Sequence, residues 1–425
     1  MTAGPASLSH REPPVTDAAT PGPVTAAALI GVLAATCVLV GSDGSPGGRV
    51  ARVAAAVAAA AATWLVLRRA PAAVGALVLV VVALLAVPAG LGVALPHLSK
   101  NGLGRPGAAG AVVAGCGLVL LAAGLGRLRR HRGTRTGAAA AVAAVVCLGV
   151  TSWTLGQAVA ATNVPATPVC TTPPEGVVAP RDVSFRTADG ATVSAWYLPG
   201  RNGAAVVLRH GAGSTRCSVR AHAAVLARHG YGVLMTDARG HGASGGRAMD
   251  FGWYGETDIA AAVAYLRRQP GVDPGRVGAV GLSMGGEEAI GALGTATGPA
   301  AVVAEGVTGR VAGDKAWLPG VYGWRGTATE RLAGLTYGAA DLLTDAAPPA
   351  TLRRAVRAAA PRPVLVISAG ERPDEAYVAR SLHAAAPGTV QTWDVPGAAH
   401  TGALRARPQD WERRVTAFLD AALLG

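Results

Sequence analysis

The chain has 425 residues, 51% of them hydrophobic and only 4% aromatic, with a formal net charge of +13; that length holds two or three domains. The charge is unevenly spread: residues 1–159 carry 12 Lys+Arg against 3 Asp+Glu, and residues 160–425 carry 26 against 22. The excess sits in short loops between apolar stretches, where it sets topology, and no basic stripe interleaved with aromatics follows, so a nucleic-acid partner is excluded.

Residues 1–22, with Pro5, Pro13, Pro14 and Pro21, read as a disordered leader. They lack the basic start, apolar core and small-residue cleavage site of a signal peptide. Apolar runs follow at about 24–41, 50–67, 72–95, 107–126 and 137–159. Each approaches the roughly 20 residues that a membrane-crossing helix needs, so residues 23–159 are expected to form an all-α transmembrane region of about five helices. The Ala-rich second run also fits a buried soluble helix. Arg127, Arg129, Arg130, Arg132 and Arg135 follow the fourth run and Arg68 and Arg69 the second. With Arg11 they outnumber Arg49, Arg52, Lys100 and Arg105 on the opposite face. Cytoplasmic loops retain Lys and Arg, so the expectation is a multi-pass protein of the cell membrane with a cytoplasmic N-terminus and an extracytoplasmic C-terminal half, the lipid bilayer being its partner. No ionisable residue falls deep within a run, which argues against transport.

Cys37, Cys116 and Cys147 lie in apolar runs and read as packing residues. Cys170 and Cys217 are the only two in the second half, and either form a disulfide or remain two buried thiols. Residues 160–180, with Pro165, Pro168, Pro173, Pro174 and Pro180, form a stiff tether.

Residues 181–425 change character. Asp182–Arg186 and Ala191–Tyr197 alternate around Ala188-Asp189-Gly190, as in an antiparallel hairpin. Apolar strands at Ala204–Leu208, Gly232–Thr236, Val277–Gly281, Ala300–Ala304, Pro363–Ser368 and Thr389–Val395 then alternate with helical stretches at Val219–His229, Thr257–Arg268, Glu287–Leu293, Glu375–Ala386 and Trp411–Leu424. This alternation predicts a mostly parallel central sheet with helices on both faces, its site beyond the C-terminal strand ends.

Three of those ends carry motifs. Arg209 leads into His210-Gly211-Ala212-Gly213. Thr236 leads into Asp237-Ala238-Arg239-Gly240-His241-Gly242-Ala243-Ser244-Gly245-Gly246, a loop of tight turns. The third strand ends in Gly281-Leu282-Ser283-Met284-Gly285, where glycines leave room for a serine on a strained strand-to-helix turn. Ser283 is the candidate nucleophile, and the Ala212 and Met284 N–H groups are the candidate oxyanion hole.

These three ordered motifs resemble the α/β-hydrolase superfamily, and within it the branch of monoglyceride lipases, lysophospholipases and serine aminopeptidases. The resemblance covers roughly residues 180–425 and implies an α/β-hydrolase fold with a short cap, preceded here by the transmembrane region. In that fold the order is serine, acid, histidine, and only His383 and His400 follow Ser283. His383 reads as a surface residue of a helix, which leaves His400, just past the last strand, as the base. His210 and His241 read as loop-shaping residues. The acid is expected in Ala369-Gly370-Glu371-Arg372-Pro373-Asp374-Glu375. The family's aspartate follows the glycine by about three residues, which favours Asp374, with Glu371 as the alternative. Glu375 reads as a first-turn helix residue matched to the helix dipole, as do Glu287 and Glu288 behind the serine.

The resulting expectation is a membrane-tethered serine hydrolase that cleaves acyl esters, lipids among them, through Ser283, His400 and Asp374. It would need no cofactor or metal. A peptidase or acyltransferase would use the same triad, and a non-catalytic ligand-binding membrane protein is the reading of another class. A cap is expected at about 306–361, with Trp317, Tyr322, Trp324, Leu335, Tyr337, Leu342 and Leu343. Asp250–Tyr254 would line the pocket beneath it or pack on the sheet.

Overall fold

The computed structural model describes residues 22–40, 46–176 and 179–425, so the expected leader lies outside the described residues up to Gly22. Two compact units result, one within Met1–Gly90 and Ala109–Gly149, the other formed by Leu91–Ala108 and Val150–Gly425.

The helices of the N-terminal region are α1 (Pro23–Val40), α2 (Pro46–Arg69), α3 (Ala72–Asn101), α4 (Arg105–Arg132) and α5 (Thr134–Thr151). A π-helical turn at Ser152–Gly156 carries α5 into α6 (Gln157–Thr162). Four stretches, Arg49–Arg69, Ala72–Asn101, Arg105–Arg132 and Thr134–Thr162, are long and apolar enough to cross a membrane, and Pro23–Leu39 is a shorter apolar helix. In lipid, helices associate by close packing at small residues rather than by apolar burial. The first unit follows that rule: a Cβ on Gly124 would lie 2.9 Å from the Ala76 carbonyl, and one on Gly90 would lie 2.5 Å from the Ala114 nitrogen.

The second unit is built on an eight-stranded sheet: β1 (Arg181–Arg186), β2 (Thr192–Leu198), β3 (Ala205–Arg209), β4 (Gly232–Thr236), β5 (Val277–Leu282), β6 (Val302–Glu305), β7 (Val364–Ala369) and β8 (Val390–Val395), in the order β1-β2-β4-β3-β5-β6-β7-β8. The hairpin β1–β2 is antiparallel, and β2 joins β4 antiparallel; from β4 onward every pair is parallel. The period-2 alternation of side chains divides the core into two layers. In β3, Ala205 and Val207 enter one apolar cluster while Val206 and Leu208 enter the other. The first cluster is closed by α8 (Gly255–Leu266), α9 (Met284–Leu293), α11 (Leu352–Ala359) and α12 (Pro373–Ala385). The second is closed by α7 (Arg220–Arg228), the short α13 (Ala403–Ala406) and α14 (Pro408–Leu423), with Trp411 fully buried. This is the α/β-hydrolase arrangement that the motifs imply.

The cap region holds α10 (Leu318–Asp341), bent at Gly323, whose φ is 56°. Five glycines punctuate this helix, each of low helix propensity. Packing supplies what propensity lacks: Ala340 is buried with Ala158 of α6, Trp253 and Val311. Trp324 and Leu342 stand 76% and 87% exposed.

Cys170 and Cys217 form a disulfide across 47 residues, which resolves the open alternative and ties the tether to the start of α7. Closing a loop of that length removes unfolded-state entropy worth about 4 kcal/mol.

Candidate active site

The parallel register of β3, β5, β6, β7 and β8 brings their C-terminal ends to one edge of the sheet, and the site is assembled there. Ser283 follows β5 at φ 54° and ψ −125°, a conformation that a side chain other than glycine's rarely adopts and that stores on the order of 1–3 kcal/mol. Two constraints hold it there. Its N–H donates to the Glu305 carbonyl at 2.6 Å, and a Cβ on Gly281 would sit 2.2 Å from the Gly285 carbonyl oxygen. The serine therefore projects at the head of α9.

His400 lies in the loop after β8, its Nε2 2.9 Å from the Ser283 hydroxyl oxygen. Room for the ring comes from Gly306, where a Cβ would lie 3.0 Å from the imidazole Cε1. Glu305 fixes the following segment, accepting from the Ala403 N–H at 2.8 Å and the Trp411 indole N–H at 3.2 Å.

The acid is where the sequence reading needs correction. His400 Nδ1 is 2.6 Å from a carboxylate oxygen of Glu375, not of Asp374 or Glu371. Glu375 is 1% exposed, and its other oxygen accepts from the Ala369 N–H at 2.9 Å. Asp374 instead accepts a hydrogen bond from the Tyr322 hydroxyl of the cap at 2.8 Å, and Glu371 is exposed. The physical reason is that α12 begins at Pro373, so the carboxylate that meets His400 stands on a helix and not in the loop. Adjacent helical residues point about 100° apart, and Glu375 shares the buried stripe of Val378, Ala379 and Leu382. A carboxylate at the first position of an i, i+3, i+4, i+7 apolar stripe is the signal that would have found it.

On the opposite side, the loop after β3 presses against the serine: a Cβ on Gly211 would lie 3.0 Å from Ser283 Cβ and 3.2 Å from the Leu282 carbonyl. Ala212 and Met284 line one cavity together, and among the described residues no backbone acceptor takes either N–H. His210 and His241 shape this loop. His210 Nε2 accepts from the Ala238 N–H at 2.8 Å, and His241 Nε2 accepts from the Gly213 N–H at 2.9 Å. Burial holds His210 well below the usual imidazole range and brings His241 down to about 4, so both are neutral at pH 7 and bridge backbone.

Behind Ser283, Glu287 accepts from the Thr308 and Gly309 N–H groups at 2.8 and 2.7 Å. Glu288 pairs at 2.6 Å with the buried Arg209, whose guanidinium also meets Asp258 at 3.1 Å. Both glutamates thus support the loops around the site. Among the described residues no group of three or more His, Cys, Asp or Glu is placed to hold a metal ion.

A strained serine, an imidazole in contact with it and a buried carboxylate on the far ring nitrogen can perform acyl transfer by nucleophilic attack. Comparison with known proteins agrees at the level of family: residues 157–392, more than half of the chain, match the X-Pro dipeptidyl-peptidase (S15) family. The chain belongs to the S15 family. No curated protein matches it. Among solved structures, an esterase of Pyrococcus furiosus is 24% identical, with a TM-score of 0.47, covering 62% of this chain and 98% of its own. A hypothetical protein of Pseudomonas aeruginosa is 21% identical, with a TM-score of 0.46 over 60% and 96% of the two chains. The esterase RhEst1 of Rhodococcus sp. is 19% identical, with a TM-score of 0.40 over 58% and 100%. This S15 member is a hydrolase by family, and the matched stretch contains Ser283 and Glu375 but ends before His400.

Proposed function

We propose that the protein is a membrane-associated serine hydrolase that cleaves acyl esters through Ser283, His400 and Glu375. The observation that carries this reading is the chain of contacts from hydroxyl to imidazole to buried carboxylate at a strand-to-helix turn. His400 takes the Ser283 proton as the hydroxyl attacks the carbonyl carbon, and Glu375 stabilises the imidazolium. The amides of Ala212 and Met284 hold the oxyanion. His400 then returns the proton to the leaving alcohol, and water, activated in turn by His400, releases the acid from Ser283.

Family membership favours a second reading, a peptidase that releases X-Pro dipeptides from the amino terminus of a peptide. The charges on the His400 side of the site support the ester. A peptidase that reads a free amino terminus needs an uncommitted carboxylate, and Glu375, Glu287, Glu288 and Glu305 all have protein partners. The cavity of about 750 Å³ beside His400 sets Arg220, Arg228 and Arg405 against the single Glu175. Extracytoplasmic placement of the hydrolase unit is supported by the Cys170–Cys217 disulfide and by the arginine distribution.

The test is a paired assay of the full-length protein in detergent with p-nitrophenyl butanoate and with an X-Pro p-nitroanilide. Ester turnover that is lost in Ser283→Ala, with kcat/KM at least about 100-fold above that for the anilide, is the expected result. The reverse preference would establish the peptidase.

A further inference from the structure

Next to the candidate oxyanion hole is a cavity of about 240 Å³ that the mechanism leaves unused. One wall comes from the helical region: Pro96 of α3, Ala160 and Ala161 of α6, and Val164 and Pro165 just beyond. The facing wall carries Ala212, Met284, Met249 and Phe251. Its two polar side chains, His241 and Lys100, both have protein partners. His241 spends one ring nitrogen on the Gly213 N–H and the other on the Arg239 carbonyl, while the Lys100 ammonium donates to the Gly213 carbonyl. The other side chains lining the cavity are aliphatic, thioether or aromatic, and Ala212 and Met284 are among the lining residues.

We propose that this cavity is the acyl-chain subsite of the hydrolase, built jointly by the helical region and the oxyanion loop, and that it takes the apolar chain of a lipid ester. The inference rests on the ester reading above and names its substrate class. An acyl chain extends directly from the carbonyl carbon whose oxygen the Ala212 and Met284 amides bind, so the space beside those amides is where its first methylenes must go. Burying each methylene there in place of water is favourable, because ten of the twelve lining residues present no polar side chain.

Phe251 sets the depth. It lines this cavity and also a second one, of about 260 Å³, under the cap between Trp153, Trp317, Leu318 and Tyr337. Its backbone is held at φ 55°, between Asp250 at φ 48° and Gly252 at φ 77°, and its ring packs edge-on against Tyr337 at 5.0 Å. A phenyl ring so placed is the shared wall that stops a chain from passing from the first cavity into the second.

The test compares kcat/KM for p-nitrophenyl dodecanoate and p-nitrophenyl butanoate in full-length wild type, Phe251→Gly and Ala161→Phe. Glycine suits the positive φ and removes the wall, so Phe251→Gly is expected to raise the dodecanoate-to-butanoate ratio about tenfold. Ala161→Phe fills the first cavity and is expected to lower it about tenfold. Stoichiometric labelling of Ser283 by a short-chain fluorophosphonate shows that each variant is folded. Ratios equal to wild type in two variants that label normally would overturn the subsite alone. A wild type that labels at Ser283 but hydrolyses neither ester would overturn the subsite and the ester reading together.

Discussion

Glu375→Gln should lower kcat for ester hydrolysis about 10⁴-fold, whereas Asp374→Asn and Glu371→Gln should each stay within about threefold of wild type. The large effect follows from the tautomer. The carboxylate 2.6 Å from His400 Nδ1 keeps the proton on that nitrogen, leaving Nε2 free to accept from Ser283. A glutamine can turn its amide N–H toward Nδ1, which places the proton on Nε2 and disarms the base. It also removes the buried negative charge that balances the imidazolium. Asp374 accepts a hydrogen bond from the Tyr322 hydroxyl and does not meet His400, so its replacement disturbs the seating of the cap and not the proton transfer. Steady-state kinetics of the three variants, with Ser283 labelling to confirm folding, decide between them. An Asp374→Asn variant as damaged as Glu375→Gln would reinstate the loop aspartate.

Arg209→Met should destabilise the hydrolase unit by about 3–5 kcal/mol, and the double variant Arg209→Met/Glu288→Met should recover a substantial part of that loss. Arg209 and Glu288 are each almost wholly buried, and burial pushes the Glu288 carboxyl up against the pull of the guanidinium. Removing the arginine alone strands Glu288, and Asp258 keeps only its second partner, Arg239. Removing both Arg209 and Glu288 eliminates the uncompensated charge. The cluster lies directly beneath the site, since a Cβ on Gly285 would meet Arg209 Cγ at 2.8 Å and the His210 carbonyl oxygen at 2.5 Å. Denaturant unfolding followed by tryptophan fluorescence measures the change. A loss below about 1 kcal/mol would mean that the cluster is not a support of the site.

Much of this architecture is legible in the residues because local pattern and tertiary role coincide. The expected strands fall within a residue or two of β1 to β8, since each is a short apolar run bounded by turn residues. Ser283 and His400 could be singled out as candidates because the turn glycines and the chain order leave few choices, and the structure brings them within 2.9 Å of each other. What failed was helix phase. Pro373 starts α12 two residues before the expected Glu375, and two adjacent carboxylates on a first helical turn differ only in which way they point. The cap helix α10 was invisible for the opposite reason: its glycines argue for a loop, and only its packing on Ala158 and Val311 makes it a helix. The cavity shared with the helical region depends on residues more than 100 positions apart, Lys100 and Gly213 among them, which no local pattern joins.

The central claim, that Ser283 is an activated nucleophile, is tested most directly by treating the full-length protein with a fluorophosphonate and mapping the adduct by peptide mass spectrometry. A single adduct on Ser283, absent from Ser283→Ala and strongly reduced in His400→Ala, is the expected result. A folded wild-type protein that stays unmodified, or that carries the adduct on another residue, would contradict it.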